Sequence, residues 1–207
     1  MPYPPPHYTD DDTAFARRIM AEHGFALLVA DGLAASHLPL LFRHEGPRGA
    51  LYGHLTRANP ICAADNGAGL DGRAALAVFS GPHAYVSATL HDDPARAVPT
   101  WNYASVQARG TLRALPDAAV RPHLDEMAQA YEGRDGWSVS DAPDYVAALT
   151  HGIIAFRLEI DRLTAFRKMS ADKPLAMRKR IIDATRAQGE HAFANEMATT
   201  LTITDPE

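Results

Sequence analysis

Two short stretches of this chain carry residue types that together could hold an anion and a flat ring. Residues 53–60 read GHLTRANP and residues 98–103 read VPTWNY. In the first, His54 and Arg57 supply hydrogen-bond donors, and Asn59 precedes Pro60, which lacks an N–H and bends the chain out of regular structure. The planar fork of Arg57 can meet two phosphate oxygens at once, whereas a lysine acts as a point charge. In the second, Pro99 sets the approach to Thr100, Trp101, Asn102 and Tyr103, which offer a hydroxyl, an indole, an amide and a phenol in succession. The two stretches read as an anion clamp and an aromatic wall for a phosphorylated planar cofactor.

A third stretch, FRKMSADKP at 166–174, adds Arg167, Lys168, Ser170 and Lys173 just before an expected helix, where free backbone amides favour anions. Each stretch has a plainer reading by itself. His54 and Arg57 lie three apart on an expected strand and point to opposite faces, so either Arg57 reaches around the edge or a bulge re-aims it. Trp101 and Tyr103 alone fit core or interface aromatics. The basic stretch alone fits a solvated connection.

The elements that must position these residues follow from periodicity. Residues 1–9 are rich in proline and tyrosine and read as extended, and Asp10 to Asp12 open a helix over about 12–23 that stops at Gly24. FALLVA, the dipeptide Asp31-Gly32 and LAASHLPLLF read as two strands joined by a two-residue hairpin turn. Further strands are expected at about 49–57, 73–80, 83–90 and 104–115. Val120, Leu124, Met127 and Tyr131 then line one helical face, and a shorter helix around Asp141, Pro143 and Tyr145 to Leu149 ends near Gly152. Ile154 to Ile160 alternate as a late strand, and Pro174 opens a helix that continues, broken, to about 199. Strands joined by short turns imply an antiparallel sheet that closes as a barrel or a sandwich. The fold class is mainly β with α (α+β), with flanking helices.

Composition narrows the class of protein. The 207 residues suit a single domain, 1–207, with a helical C-terminal extension from about 174. Hydrophobic residues are 46% and charged residues 22%, which is globular usage. The formal net charge of −5 disfavours a surface that embraces nucleic acid throughout. A single cysteine, Cys62, cannot form an internal disulfide and fits a reducing, cytoplasmic setting as a small buried residue. MPYPPPHYTDDD does not read as a signal peptide, and residues 25–42 are too interrupted to span a membrane.

Several motifs are weighed and set aside. GAGLDG at 67–72 matches a dinucleotide fingerprint in letters, but it leads into a strand rather than a helix and reads as a glycine-rich turn. No Walker loop, nucleophile elbow or H-E-x-x-H helix occurs. None of the ten histidines lies three to five residues from another, so no short metal-ligand pair can be drawn, although His37, His54 and His91 could converge in space. No metal and no catalytic acid or base is assigned. Arg178, Lys179, Arg180 and Arg186 could contact DNA, but Lys179 can pair with Asp183 four residues on, and a solvated helix face is the simpler reading.

The motifs taken together resemble a family. Tyr3, Pro5 and His7, then SHLPLL at 36–41, GHLTRANP, FSGPHAYVS at 79–87, VPTWNY and Lys168 to Ser170 occur in the order seen in PaiB-type FMN-binding negative transcriptional regulators. The resemblance runs over about 3–175. It implies an antiparallel split β-barrel of the FMN-binding type, a homodimer, and FMN held near the subunit interface. By the same resemblance His54, Thr56, Arg57 and Asn59 hold phosphate and ribityl groups, Ser87 and Thr100, Trp101, Asn102 and Tyr103 line the flavin, and Lys168 with Ser170 closes the site. The chain departs from the family pattern at residues 88–91 (Ala-Thr-Leu-His), at Gln107, and at Ala171 and Asp172.

The leading expectation is therefore an FMN-binding dimeric regulator, with DNA or a regulatory protein as its candidate partner and no membrane association. A flavin-dependent oxidoreductase taking hydride from NAD(P)H is the rival from another class. A non-catalytic flavin-binding or interaction protein is the third.

Overall fold

The computed structural model describes residue 5 and residues 8–10, 13–62 and 69–204. The expected extended start falls largely outside these residues, as do Asp11, Asp12, and Gly67 and Ala68 of the glycine-rich turn. The chain forms two compact units, the first from 1–22, 80–106 and 164–207, the second from 23–79 and 107–163. Among the described residues eight strands make one sheet: β1 (Thr9–Asp10), β2 (Phe25–Ala30), β3 (Ala35–Pro39), β4 (Leu41–Arg43), β5 (Ala50–Thr56), β6 (Ala74–Val86), β7 (Thr100–Ala114) and β8 (Ile153–Lys168). Their order is β3-β2-β6-β7-β8-β5-β4, with β1 paired to β8. Every pairing with a defined register is antiparallel. Among the described residues no helix is long and apolar enough to cross a membrane.

In the second unit the core is the period-two inner face of the strands. Leu28, Leu51, Phe79, Leu112, Phe156 and Leu158 are all fully buried. β5 lies against β8 with Gly53 opposite Phe156 and His54 opposite Ala155. At Gly110 a Cβ would collide with the backbone carbonyl of Glu159 on β8, so no larger residue fits.

Helix α2 (Val120–Glu132) follows a 3-10 turn at Asp117–Ala119 and ends at Gly133, whose φ of 73° suits the residue just past a helix. It buries Val120, His123 and Met127, not the expected face of Val120, Leu124, Met127 and Tyr131. The helix is rotated so that Leu124 is half-buried and Tyr131 is 57% exposed. α3 (Pro143–Thr150) begins at a proline, as expected, after a Ser138–Asp141 capping box.

In the first unit, α1 (Thr13–Glu22) buries Phe15, Ala16, Ile19 and Met20 as a single stripe. α4 (Leu175–Ala187) and α5 (His191–Thr204) pack on each other, with Ile181, Phe193 and Met197 fully buried. Glu196 of α5 is buried and accepts two hydrogen bonds from Nη2 of Arg18, at 2.9 and 2.8 Å, which fastens the C-terminal helix to α1.

Four local expectations change. The β2–β3 loop holds three residues, because Ala30 N–H donates to Ala34 and Leu33 joins Gly32 at positive φ. Arg73 braces this loop: its guanidinium grips both the carboxylate and the carbonyl of Asp31. The strands expected at 73–80 and 83–90 are one strand, β6. Gly81 lets it run on beside Ala104, whose carbonyl oxygen would lie 3.1 Å from any Cβ. Residues 88–90 form a 3-10 turn in place of a strand end, capped by the Ser87 hydroxyl. Asp183 is met by Arg186 at 4.0 Å where Lys179 was expected.

Candidate functional site

The second unit positions His54, Thr56, Arg57 and Asn59 at the exit of β5. The strand ends at Thr56, which is exposed. Arg57 therefore escapes the alternation problem: its backbone N–H donates to the Gly152 carbonyl at 2.9 Å and the chain turns, with Asn59 N–H donating to Thr56. The guanidinium is oriented by two long-range partners, Nε to the His151 carbonyl at 3.0 Å and Nη2 to Oδ1 of Asp117 at 2.7 Å. Asn59 folds back on its own loop, accepting from Ile61 N–H at 2.9 Å, while its Nδ2 donates to the Ser36 hydroxyl at 2.7 Å. Cys62 sits at the end of this loop, and burial raises its thiol pKa against the lowering effect of Arg57 and Arg73, which keeps it protonated.

His54 points elsewhere. Its Nδ1 is 3.2 Å from Nε2 of His123, with the rings edge to face at 5.3 Å. Burial lowers the pKa of both imidazoles. His123 falls to about 4 through its burial, then through His54 and Arg43.

The first unit holds the other seven residues. β7 opens at Thr100 and its alternation splits the aromatic run between two faces: Trp101 is 55% exposed and Tyr103 half-buried, while Asn102 is buried. Lys168, the last residue of β8, donates from Nζ to the Thr100 hydroxyl at 2.7 Å. Ser170 follows at φ 53° and accepts from Nδ2 of Asn102 at 2.8 Å. Thr100 with Lys168 and Asn102 with Ser170 are thus brought together. Trp101 lies 6.0 Å from the rings of both His83 and Tyr85, and Tyr103 lies 6.5 Å from Phe166. Ser87 directs its hydroxyl to Thr89, at 2.9 Å from Oγ1.

Sequence reasoning missed Asp117, His123 and His151, which no spacing links to β5. It also missed His83 and Tyr85 as neighbours of Trp101, although their i, i+2 spacing on a strand would have placed them on one face. Among the described residues no group of three or more metal-ligating side chains gathers.

The donors present suit a flavin mononucleotide. In the second unit the carboxylate of Asp117 already occupies one edge of Arg57, as a phosphate oxygen would. In the first unit the indole of Trp101 stands exposed, and the hydroxyl of its chain neighbour Thr100 holds the ammonium of Lys168. When bound, such a cofactor supplies two-electron redox chemistry.

Comparison with known proteins agrees. The flavocytochrome Anf3 of Azotobacter vinelandii superposes with a TM-score of 0.54 at 12% identity, covering 78% of this chain and 69% of that one. The fold is an antiparallel split barrel with flanking helices, the class in which flavin-binding proteins occur. Within that class, the family described as "Putative FMN-binding domain" matches residues 2–162, and the chain belongs to it; FMN is its cofactor. "Protease synthase and sporulation protein PAI 2" of Bacillus subtilis is 28% identical over 167 residues, spanning 79% of this chain and 77% of the relative, which places the chain with PaiB-type members. An uncharacterised Aspergillus fumigatus protein is 31% identical over 176 residues, spanning 68% of this chain and 67% of its own length.

Proposed function

We propose that this protein is an FMN-binding homodimer that acts as a negative regulator of transcription, with the flavin as ligand or redox signal. In this reading Thr56, Arg57 and Asn59 serve the phosphate and ribityl groups, with His54 behind them. Ser87, Thr100, Trp101, Asn102, Tyr103, Lys168 and Ser170 serve the ring. Asn102 and Ser170, buried against each other, position the exposed members rather than touching the ligand.

The observation that carries the dimer is the exposed aromatic face of the first unit. Trp101 and Tyr85 are 55% and 51% exposed and stand side by side, and Val98 is 77% exposed just before them. Adjacent large side chains left in water favour a partner surface. Of the basic residues on α4, Arg178 is buried and donates to Thr200, and Arg180 holds the Leu90 carbonyl and Asp92. Lys179 and Arg186 stay exposed on the same helix, so DNA contact through α4 would rest on these two.

Sedimentation at graded concentrations tests the dimer, and binding to promoter fragments at rising salt tests the regulator, since phosphate contacts weaken as salt increases. A monomer with full FMN occupancy overturns the first. NAD(P)H oxidation by the holoprotein, without salt-sensitive DNA binding, replaces the second with the oxidoreductase reading.

A further inference from the structure

The second unit contains a cavity of about 400 Å³ that the flavin residues leave unexplained apart from His54. Its lining includes Leu124, Ala128 and Tyr131 of α2, Val146 and Leu149 of α3, and Trp137 from the chain between those helices. This is where the rotation of α2 matters: the residues turned off the sheet face line the cavity. Its volume lies within the range of small-molecule sites, roughly 300 to 1,000 Å³. Tyr131, Trp137 and Leu149, each about half exposed, stand at its lining, so apolar surface stays in water unless something enters.

The polar groups among the lining residues belong to His54, Tyr131, Trp137 and Glu132, and the imidazole is the one tied to a buried partner. His54 lines the cavity, and its Nδ1 is engaged by Nε2 of His123. His123 is 2% exposed and its Nδ1 has no hydrogen-bond partner. Both rings are neutral near pH 7, and a neutral imidazole carries a single N–H. If His123 donates that hydrogen to His54, its buried Nδ1 is a bare lone pair rather than an orphaned N–H, the less costly arrangement. His54 then carries its own hydrogen on Nε2, the ring atom left for the cavity. The lining contains no lysine or arginine, and Glu132 is its charged member, so the chemistry rejects a phosphate.

We propose that this cavity is a second ligand site, for an uncharged, largely aromatic molecule with one hydrogen-bond acceptor, which Nε2–H of His54 binds. It is separate from FMN binding and does not depend on the proposed regulatory role.

Prodan, an uncharged naphthalene ketone whose emission shifts to the blue in apolar surroundings, is the probe. Titrated into the FMN-loaded protein, it saturates at one per chain and draws energy from Trp137. In Trp137→Phe the transfer from this indole disappears while the blue shift remains. Ala128→Phe fills the cavity and weakens binding by about tenfold or more, and His54→Phe weakens it by about fivefold through loss of one hydrogen bond. Leu149→Trp, at a half-exposed position that tolerates change, repeats the test if melting shows Ala128→Phe unfolded. Non-saturating uptake, equal affinity in the cavity-filling variants, or displacement of prodan by FMN overturns the proposal; displacement would assign the cavity to the flavin.

Discussion

Asn102 and Ser170, 68 residues apart in sequence, meet at 2.8 Å with the amide of one donating to the hydroxyl of the other, and both side chains are buried. The bond ties the start of β7 to the residue just past Met169, where the chain leaves β8 in a left-handed conformation. Removing it strands a buried polar group. Asn102→Ala should destabilise the protein by about 1–3 kcal/mol in urea titration. Ser170→Gly, which relieves the φ of 53°, should lose about 1 kcal/mol less than Ser170→Ala; equal losses would show that the turn is not what Ser170 resists.

Arg57 separates ligand binding from stability. Its pair with Asp117 is exposed at both ends, 44% and 86%, so Asp117→Asn should change folding stability by less than about 1 kcal/mol. The same substitution removes a competing anion and should tighten FMN binding. Arg57→Ala should weaken it by about 1.5–3 kcal/mol. Unchanged titration curves for both variants would remove Arg57 from the phosphate role.

Trp101 should report on the flavin and on assembly. Replacing it by alanine alters the visible spectrum of bound FMN if the indole lies on the ring, and lowers the dimer fraction at a given concentration if the aromatic face is the interface. A variant with native spectrum and native sedimentation would place Trp101 in neither.

The His54–His123 pair makes stability depend on acid. His123 is held at about 4 by burial, against about 6.5 in the unfolded chain, so between these values the unfolded state binds the proton and the folded state does not. The stability tied to this group is whole above about pH 6.5 and is lost as pH falls toward about 4, a difference of roughly 3 kcal/mol. His123→Phe should flatten that part of the profile in denaturation measured at intervals across it. A slope unchanged by the substitution would assign the acid sensitivity to other groups.

Much of the chain's local structure was legible in its order of residues. α1, α3, α4 and most strands lie where periodicity and end signals put them, because a helical stripe or a two-residue alternation is written in neighbours along the chain. The motifs that carry the family likeness were legible for the same reason, being contiguous. The three-residue loop after β2, the unbroken β6 and the rotation of α2 were not, since each goes with a contact to a distant residue: Arg73 on Asp31, Ala104 beside Gly81, and His123 against His54. The sequence by itself determined which residues could bind an anion and a ring. Only the tertiary structure decided that Arg57 is held by Asp117, that Asn102 turns inward to Ser170, and that His54 faces His123, because strand register and helix packing set long-range partners that spacing along the chain does not encode.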